Sequence, residues 1–122
     1  MTSESVSLSV ERAARRDGVV VLTLSGELVV TSREILRQSA ESEIESGARG
    51  IVIAVGRLTH IDTSGLALLV GLAGRCAERG GRLAVAGLKR EVQEMRQHLF
   101  LDEALLFTED VEDAVAAVSS VV

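Results

Sequence analysis

At the start of the chain Val6, Leu8 and Val10 alternate with Ser5, Ser7 and Ser9, the period of a strand with one wet face. Arg15-Arg16-Asp17-Gly18 supplies turn chemistry and residues 19–24 follow as a β-branched run, so an antiparallel pair is predicted, ending at Gly26. Thr31-Ser32-Arg33-Glu34 has the spacing of a capping box, in which Thr31 and Glu34 would satisfy two free backbone donors of a helix start. Ile35, Leu36, Ala40 and Ile44 then recur near a period of 3.6 on one helix side, and Gly47 is a natural stop. Residues 51–55 form a short unbroken apolar run, the mark of a central strand buried on both faces.

Residues 57–71 read as a polar turn running into an apolar helix that extends to about Arg79, with Leu66, Leu69, Val70, Ala73 and Ala77 as its apolar positions. Asp62, Thr63 and Ser64 each carry a side-chain oxygen able to cap that helix. Gly65, Gly71 and Gly74 each cost about 1 kcal/mol of helix propensity, so close approach to the sheet or to a partner should compensate, and Gly71-Leu72-Ala73-Gly74 reads as packing. Gly80-Gly81 ends the helix, residues 83–86 give another strand, and Leu88, Val92, Met95 and Leu99 an amphipathic helix. Residues 105–107 are a last short strand. Thr108 is placed to cap a final helix that buries Val111, Ala114, Val115 and Val118. The predicted order is β-β-α-β-α-β-α-β-α: a single α/β domain over residues 1–122, its mixed, mostly parallel sheet of four or five strands carrying about four helices.

Composition narrows the function. The 122 residues suit one domain, and 47% hydrophobic with 25% charged residues is an ordinary soluble balance. A net charge of −5, with no Tyr or Trp to stack on bases, argues against nucleic acid. The first ten residues lack the basic start and apolar run of a secretory signal, and the strongest apolar stretch, 66–73, is too short to span a bilayer. Cys76 is the only cysteine, so no internal disulfide forms, and a cytoplasmic, non-membrane protein is expected.

Catalytic readings fare poorly. Ile61-Asp62-Thr63 begins like an aspartic-protease turn, but Ser64 separates Thr63 from Gly65 and the helical periods do not suit an all-β enzyme. No Gly-x-Ser-x-Gly surrounds Ser64 to pair it with His60 or His98. No phosphate-binding glycine loop occurs, and His60, Cys76 and His98 lack the close spacings of zinc ligands. No enzyme activity, metal or cofactor is therefore expected. What remains distinctive is a pair of hydroxyls at a helix start, where a phosphate is tolerated by the helix dipole while changing what can dock.

Taken together, several segments in order resemble the STAS family, and within it the stand-alone bacterial anti-sigma factor antagonists. Leu24-Ser25-Gly26-Glu27-Leu28 is similar to the family's Gly-Glu-Leu segment, Ile51-Val52-Ile53 to its central strand, and Ile61-Asp62-Thr63-Ser64-Gly65-Leu66 to its Asp-Ser-Ser-Gly-Leu signature. Gly80-Gly81-Arg82-Leu83 and residues 99–107 fall in the same order. The resemblance implies a binding protein, without catalysis of its own, for an anti-sigma factor that is itself an ATP-dependent serine/threonine kinase. Regulatory phosphorylation would fall on Thr63, with Ser64 second, and a phosphatase would reset the protein. It also implies a partner surface around Glu27, Asp62, Thr63, Ser64, Gly65 and Leu66. Val29 and Ala54 stand where the family commonly has acidic or amide residues, and both are expected to remove polar groups near that surface. The alternative is a STAS scaffold or ligand-binding module that is not switched; the oligomeric state is left open.

Overall fold

Alternation along the strands decides which way each side chain faces, and two helices and then one helix cover the two faces that result. The computed structural model describes residues 8–88 and 104–119. Its elements are β1 (Leu8–Ala14), a 3-10 turn (Arg16–Gly18), β2 (Val19–Leu28), α1 (Arg33–Glu45), β3 (Gly50–Ile61), α2 (Thr63–Glu78), β4 (Arg82–Ala86), β5 (Leu106–Thr108) and α3 (Val111–Ser119). One five-stranded sheet has the order β1-β2-β3-β4-β5, with β1 antiparallel to β2 and every other pair parallel. The helix expected on Leu88, Val92, Met95 and Leu99 falls, Leu88 apart, outside the described residues.

Val20, Leu22 and Leu24 of β2, Ile51, Ile53 and Val55 of β3, and Leu83 and Val85 of β4 point to one face. There they pack on Leu36, Ala40 and Ile44 of α1 and on Leu66, Leu69, Leu72 and Cys76 of α2. Successive right-handed crossovers that step across a sheet in one direction put both helices on the same side, as found here. The opposite face presents Val19, Val21, Val52, Ala54, Ala84 and Ala86 to Ala114 and Val118 of α3. With mostly Val and Ala between them, α3 and the sheet lie close: a Cβ on Gly50 would stand 2.6 Å from Val118 Cγ2.

The structure corrects several local expectations. Gly26 does not end β2: at φ 106° it lies inside a strand that continues to Leu28. Residues 57–61 are not a turn but the end of β3, paired with β2 from Ser25↔Arg57 to Leu28↔Ile61. Register shifts between Thr23 and Ser25, and again between Gly26 and Glu27, give β3 two extra residues, so Thr59 and His60 are both exposed and the period-2 signal is lost. In α1, Ile35 is not on the buried side but 44% exposed, whereas Glu43, not expected there, is buried and paired with Arg12 of β1 at 2.5 Å. That pair raises the Arg12 guanidinium pKa, chiefly through the hydrogen bond to Glu43. In α2, Ala77 is exposed while Leu72 and Cys76 are buried. Asp110, not Thr108, caps α3, its Oδ1 accepting from Asp113 N–H at 2.8 Å, while the Thr108 hydroxyl donates to the Asp110 carbonyl.

Glycines in helices therefore need separate accounts. No described atom lies within 4 Å of a Cβ built on Gly71 or Gly74, so these two do not serve packing inside the described chain. Gly71→Ala should raise unfolding stability by about 0.5–1 kcal/mol. Gly50→Ala, forced against Val118, should lower it by about 1–3 kcal/mol. Urea titrations followed by circular dichroism check both signs.

Candidate functional site

The site lies where β2 and β3 end, and its geometry starts from one carboxylate. Asp62 leaves β3 with extended dihedrals, φ −107° and ψ 178°, and α2 begins at the next residue. Its Oδ1 accepts from Gly65 N–H at 2.8 Å, so of the three residues able to cap this helix Asp62 does so. Its Oδ2 accepts from Val30 N–H at 3.2 Å, and its own N–H donates to the Leu28 carbonyl at 3.2 Å. A single residue thus ties the end of β2, the loop that follows it and the first turn of α2.

Gly65 makes this closeness possible. A Cβ there would sit 2.5 Å from the Leu28 carbonyl oxygen and 2.9 Å from Leu28 Cγ, so only glycine lets the helix start against the strand. Leu66, 1% exposed, points into the core beneath. Gly65 and Leu66 accordingly set the position of the surface without forming it. Thr63 is exposed at the first position of α2, and Ser64 beside it is half-buried. Exposed Thr63, Ala67, Gly71 and Gly74 follow at helical spacings of four, four and three, which makes a ridge of small side chains with Thr63 at its head.

The loop after β2 is built around Ser32. Its hydroxyl donates to the Glu27 carbonyl at 2.6 Å and accepts from Val29 N–H at 3.1 Å, while the Val29 carbonyl accepts from the N–H groups of Ser32 and Arg33. The predicted capping box of Thr31 and Glu34 is absent, because Ser32 is the N-cap position and makes no side-chain cap. The Glu34 carboxylate is engaged instead by Arg37 and by Gln38. That bond to Arg37 is the main cause holding the Glu34 carboxyl below the usual carboxylate range and the Arg37 guanidinium above its own. Arg37 and Arg75 also share Glu41, which links α1 to α2. Arg33 Nη1 donates to the Ser64 carbonyl at 3.4 Å.

Two apolar residues are exposed where sequence reasoning had no sign of it, and one of them, Val30, is held at the site by Asp62. Val30, 62% exposed, and Ile35, 44% exposed, are the large exposed apolar side chains among the described residues, on the loop and on the first turn of α1. A run of Val29-Val30 in a segment otherwise marked as loop is the signal that could have found the first. Glu27 is half-buried and registers beside exposed His60 in the paired strands. Val29 lies half-buried in the loop, whereas Ala54 is 6% exposed in the core under α3, so its departure from the family pattern does not touch this surface. Cys76 is buried, and burial pushes its thiol pKa up, away from reactivity. His98 lies outside the described residues. A groove of about 330 Å³ lined by Ala73, Ala77, Gly81 and Leu83 lies at the other half of α2 from Thr63.

Comparison with known proteins identifies the family and the fold. The STAS domain model matches residues 12–114. The anti-sigma F factor antagonist of Paenibacillus polymyxa is 29% identical over 103 residues, 84% of this chain and 83% of that protein. Among solved structures, an anti-sigma factor antagonist from Mycobacterium paratuberculosis superposes with a TM-score of 0.81 at 20% identity, over 91% of this chain and 93% of that one. The Bacillus cell fate determinant SpoIIAA in its phosphorylated form gives 0.70 at 23% identity, over 90% of this chain and 99% of that one.

Asp62→Ala should lower stability by about 1–2 kcal/mol through loss of the cap. Ser64→Ala should stay within about 0.5 kcal/mol, since its side chain is not the cap. Chemical denaturation of the two variants beside the parent distinguishes them.

Proposed function

The chain belongs to the STAS domain family, and on that premise we propose that it is an anti-sigma factor antagonist switched by phosphorylation at Thr63. The observation that carries the reading is the exposure of Thr63 at the head of the small-residue ridge of α2, with Val30 held beside it. Small side chains let a partner approach the helix backbone closely, and exposed Val30 supplies apolar area at that contact. The relative from Paenibacillus polymyxa and the neighbour from Mycobacterium paratuberculosis bear the same description, and SpoIIAA is known in a phosphorylated form.

In this reading the partner is an anti-sigma factor that is also an ATP-dependent serine/threonine kinase, and binding of the unphosphorylated chain frees the sigma factor. The Thr63 hydroxyl oxygen attacks the γ-phosphorus of ATP held by the kinase, a new P–O bond forms, the bond to the β-phosphate oxygen breaks and ADP leaves. The hydroxyl proton passes to a base of the kinase. The product carries about −1.5 to −2 additional charges next to Asp62, at a helix start whose dipole accepts them, so the fold survives. Docking does not, because that charge must be desolvated or repelled where the apolar contact forms. A phosphatase removes the group. The chain itself contributes an acceptor and a shaped surface, with no catalytic group, and acts in the cytoplasm.

Incubation with a candidate kinase-type anti-sigma factor and ATP should add one phosphate by intact mass, mapped by fragmentation to Thr63. Thr63→Ala should bind the partner and take up no phosphate, and Ser64→Ala should still take up one. Thr63→Glu should bind roughly a hundredfold more weakly, as a carboxylate only partly reproduces a phosphate. A phosphate on Ser64, or full-strength binding by Thr63→Glu, would overturn the assignment of the residue.

A further inference from the structure

We propose that the Asp62 carboxylate is a latch that presents the loop carrying Val30, and that a phosphate on Thr63 opens it. This rests on the reading of Thr63 as the phosphorylated residue and adds how the modification reaches the docking surface. Asp62 uses its two oxygens on two different elements: Oδ1 holds Gly65 N–H of α2, and Oδ2 holds Val30 N–H of the loop. The base of the loop is fixed independently, by the Ser32 hydroxyl on Glu27 and Val29 and by the Val29 carbonyl on Ser32 and Arg33. Its tip, residues 30 and 31, is exposed, and the Val30 N–H is held by this one carboxylate oxygen among the described residues.

Thr63 follows Asp62 directly, at the first helical position, so a phosphate there competes for the same helix-start N–H groups that the cap now holds. It also places a dianion beside a carboxylate. The anchored bonds of Asp62 are those of its backbone, N–H to Leu28 and C=O from Leu66, and these do not move when the side chain turns away. What gives way is the longer of the two side-chain contacts, 3.2 Å to Val30 against 2.8 Å to Gly65. Phosphorylation therefore does more than add charge at the contact: it releases the apolar residue that the contact uses.

Asp62→Asn separates the two halves of the latch. Asn caps helices as well as Asp and keeps one oxygen for Gly65, but its amide nitrogen is a donor and cannot accept from Val30 N–H. The full chain, with phosphothreonine incorporated at position 63 during synthesis, is compared with the unmodified parent and with Asp62→Asn by amide hydrogen exchange in NMR spectra. Val30 should exchange roughly ten- to a hundredfold faster in both altered proteins, as expected for loss of a charge-assisted hydrogen bond, while Gly65 in Asp62→Asn stays at the parent rate. An unchanged Val30 rate in the phosphorylated protein overturns the latch, whatever Asp62→Asn does. Partner binding measured on the same samples tests the switch separately: a phosphorylated protein that binds at full strength defeats the reading of function, and the Val30 rate still decides the latch.

Discussion

The contact that everything at this site depends on is a helix beginning against a strand with no side chain between them. The 2.5 Å that would separate a Gly65 Cβ from the Leu28 carbonyl leaves no room for any other residue. Because α2 starts there, Asp62 can donate its N–H to the same carbonyl and still direct its carboxylate to both the helix and the loop. Thr63 is exposed as a consequence of that docking and needs no strained backbone of its own. Leu66, Leu69 and Leu72, all within 1% of full burial, fix the rest of the helix, so the exposed ridge is held on a rigid element.

Much of this was legible in the sequence. The strand alternations, the unbroken run 51–55 and the positions of α1, α2 and α3 follow from periods that the core enforces on every residue it contains. The Asp-Thr-Ser-Gly stretch was readable as a capped helix start, and its likeness to a family signature placed the hydroxyl. The misses share a physical cause. Gly26 looks like a break, yet β2 runs through it, and two bulges erase the alternation of β3 from 57 to 61. The capping box at Thr31 is a local pattern that lost to a tertiary one, because the Ser32 hydroxyl finds Glu27 and Val29 across the loop. Val30 and Ile35 could not be told from core residues by type alone, since exposure of an apolar side chain is a property of the assembled surface.

The two sheet faces carry different tolerances. Toward α1 and α2 the interior is made of Leu, Ile and Val with long contacts, where a shape change can be shared among several side chains. Toward α3 it is Val and Ala over Gly50, with a helix nine residues long. There an added methyl has nowhere to go. The proposed docking surface is on the forgiving side, so the loop and ridge can vary in sequence without disturbing the thin face under α3.

The outer strand β1 forms one margin of the sheet. Residues 11–14 are all exposed, and Arg12 is held on α1 by Glu43. A further strand adding to this edge would have to desolvate Glu11 and crowd a guanidinium already committed to its partner, while the opposite edge, β5, offers only three residues to pair with. Charge at one margin and brevity at the other work against pairing with a strand of another copy, so among the described residues neither edge is a ready template for fibrous growth.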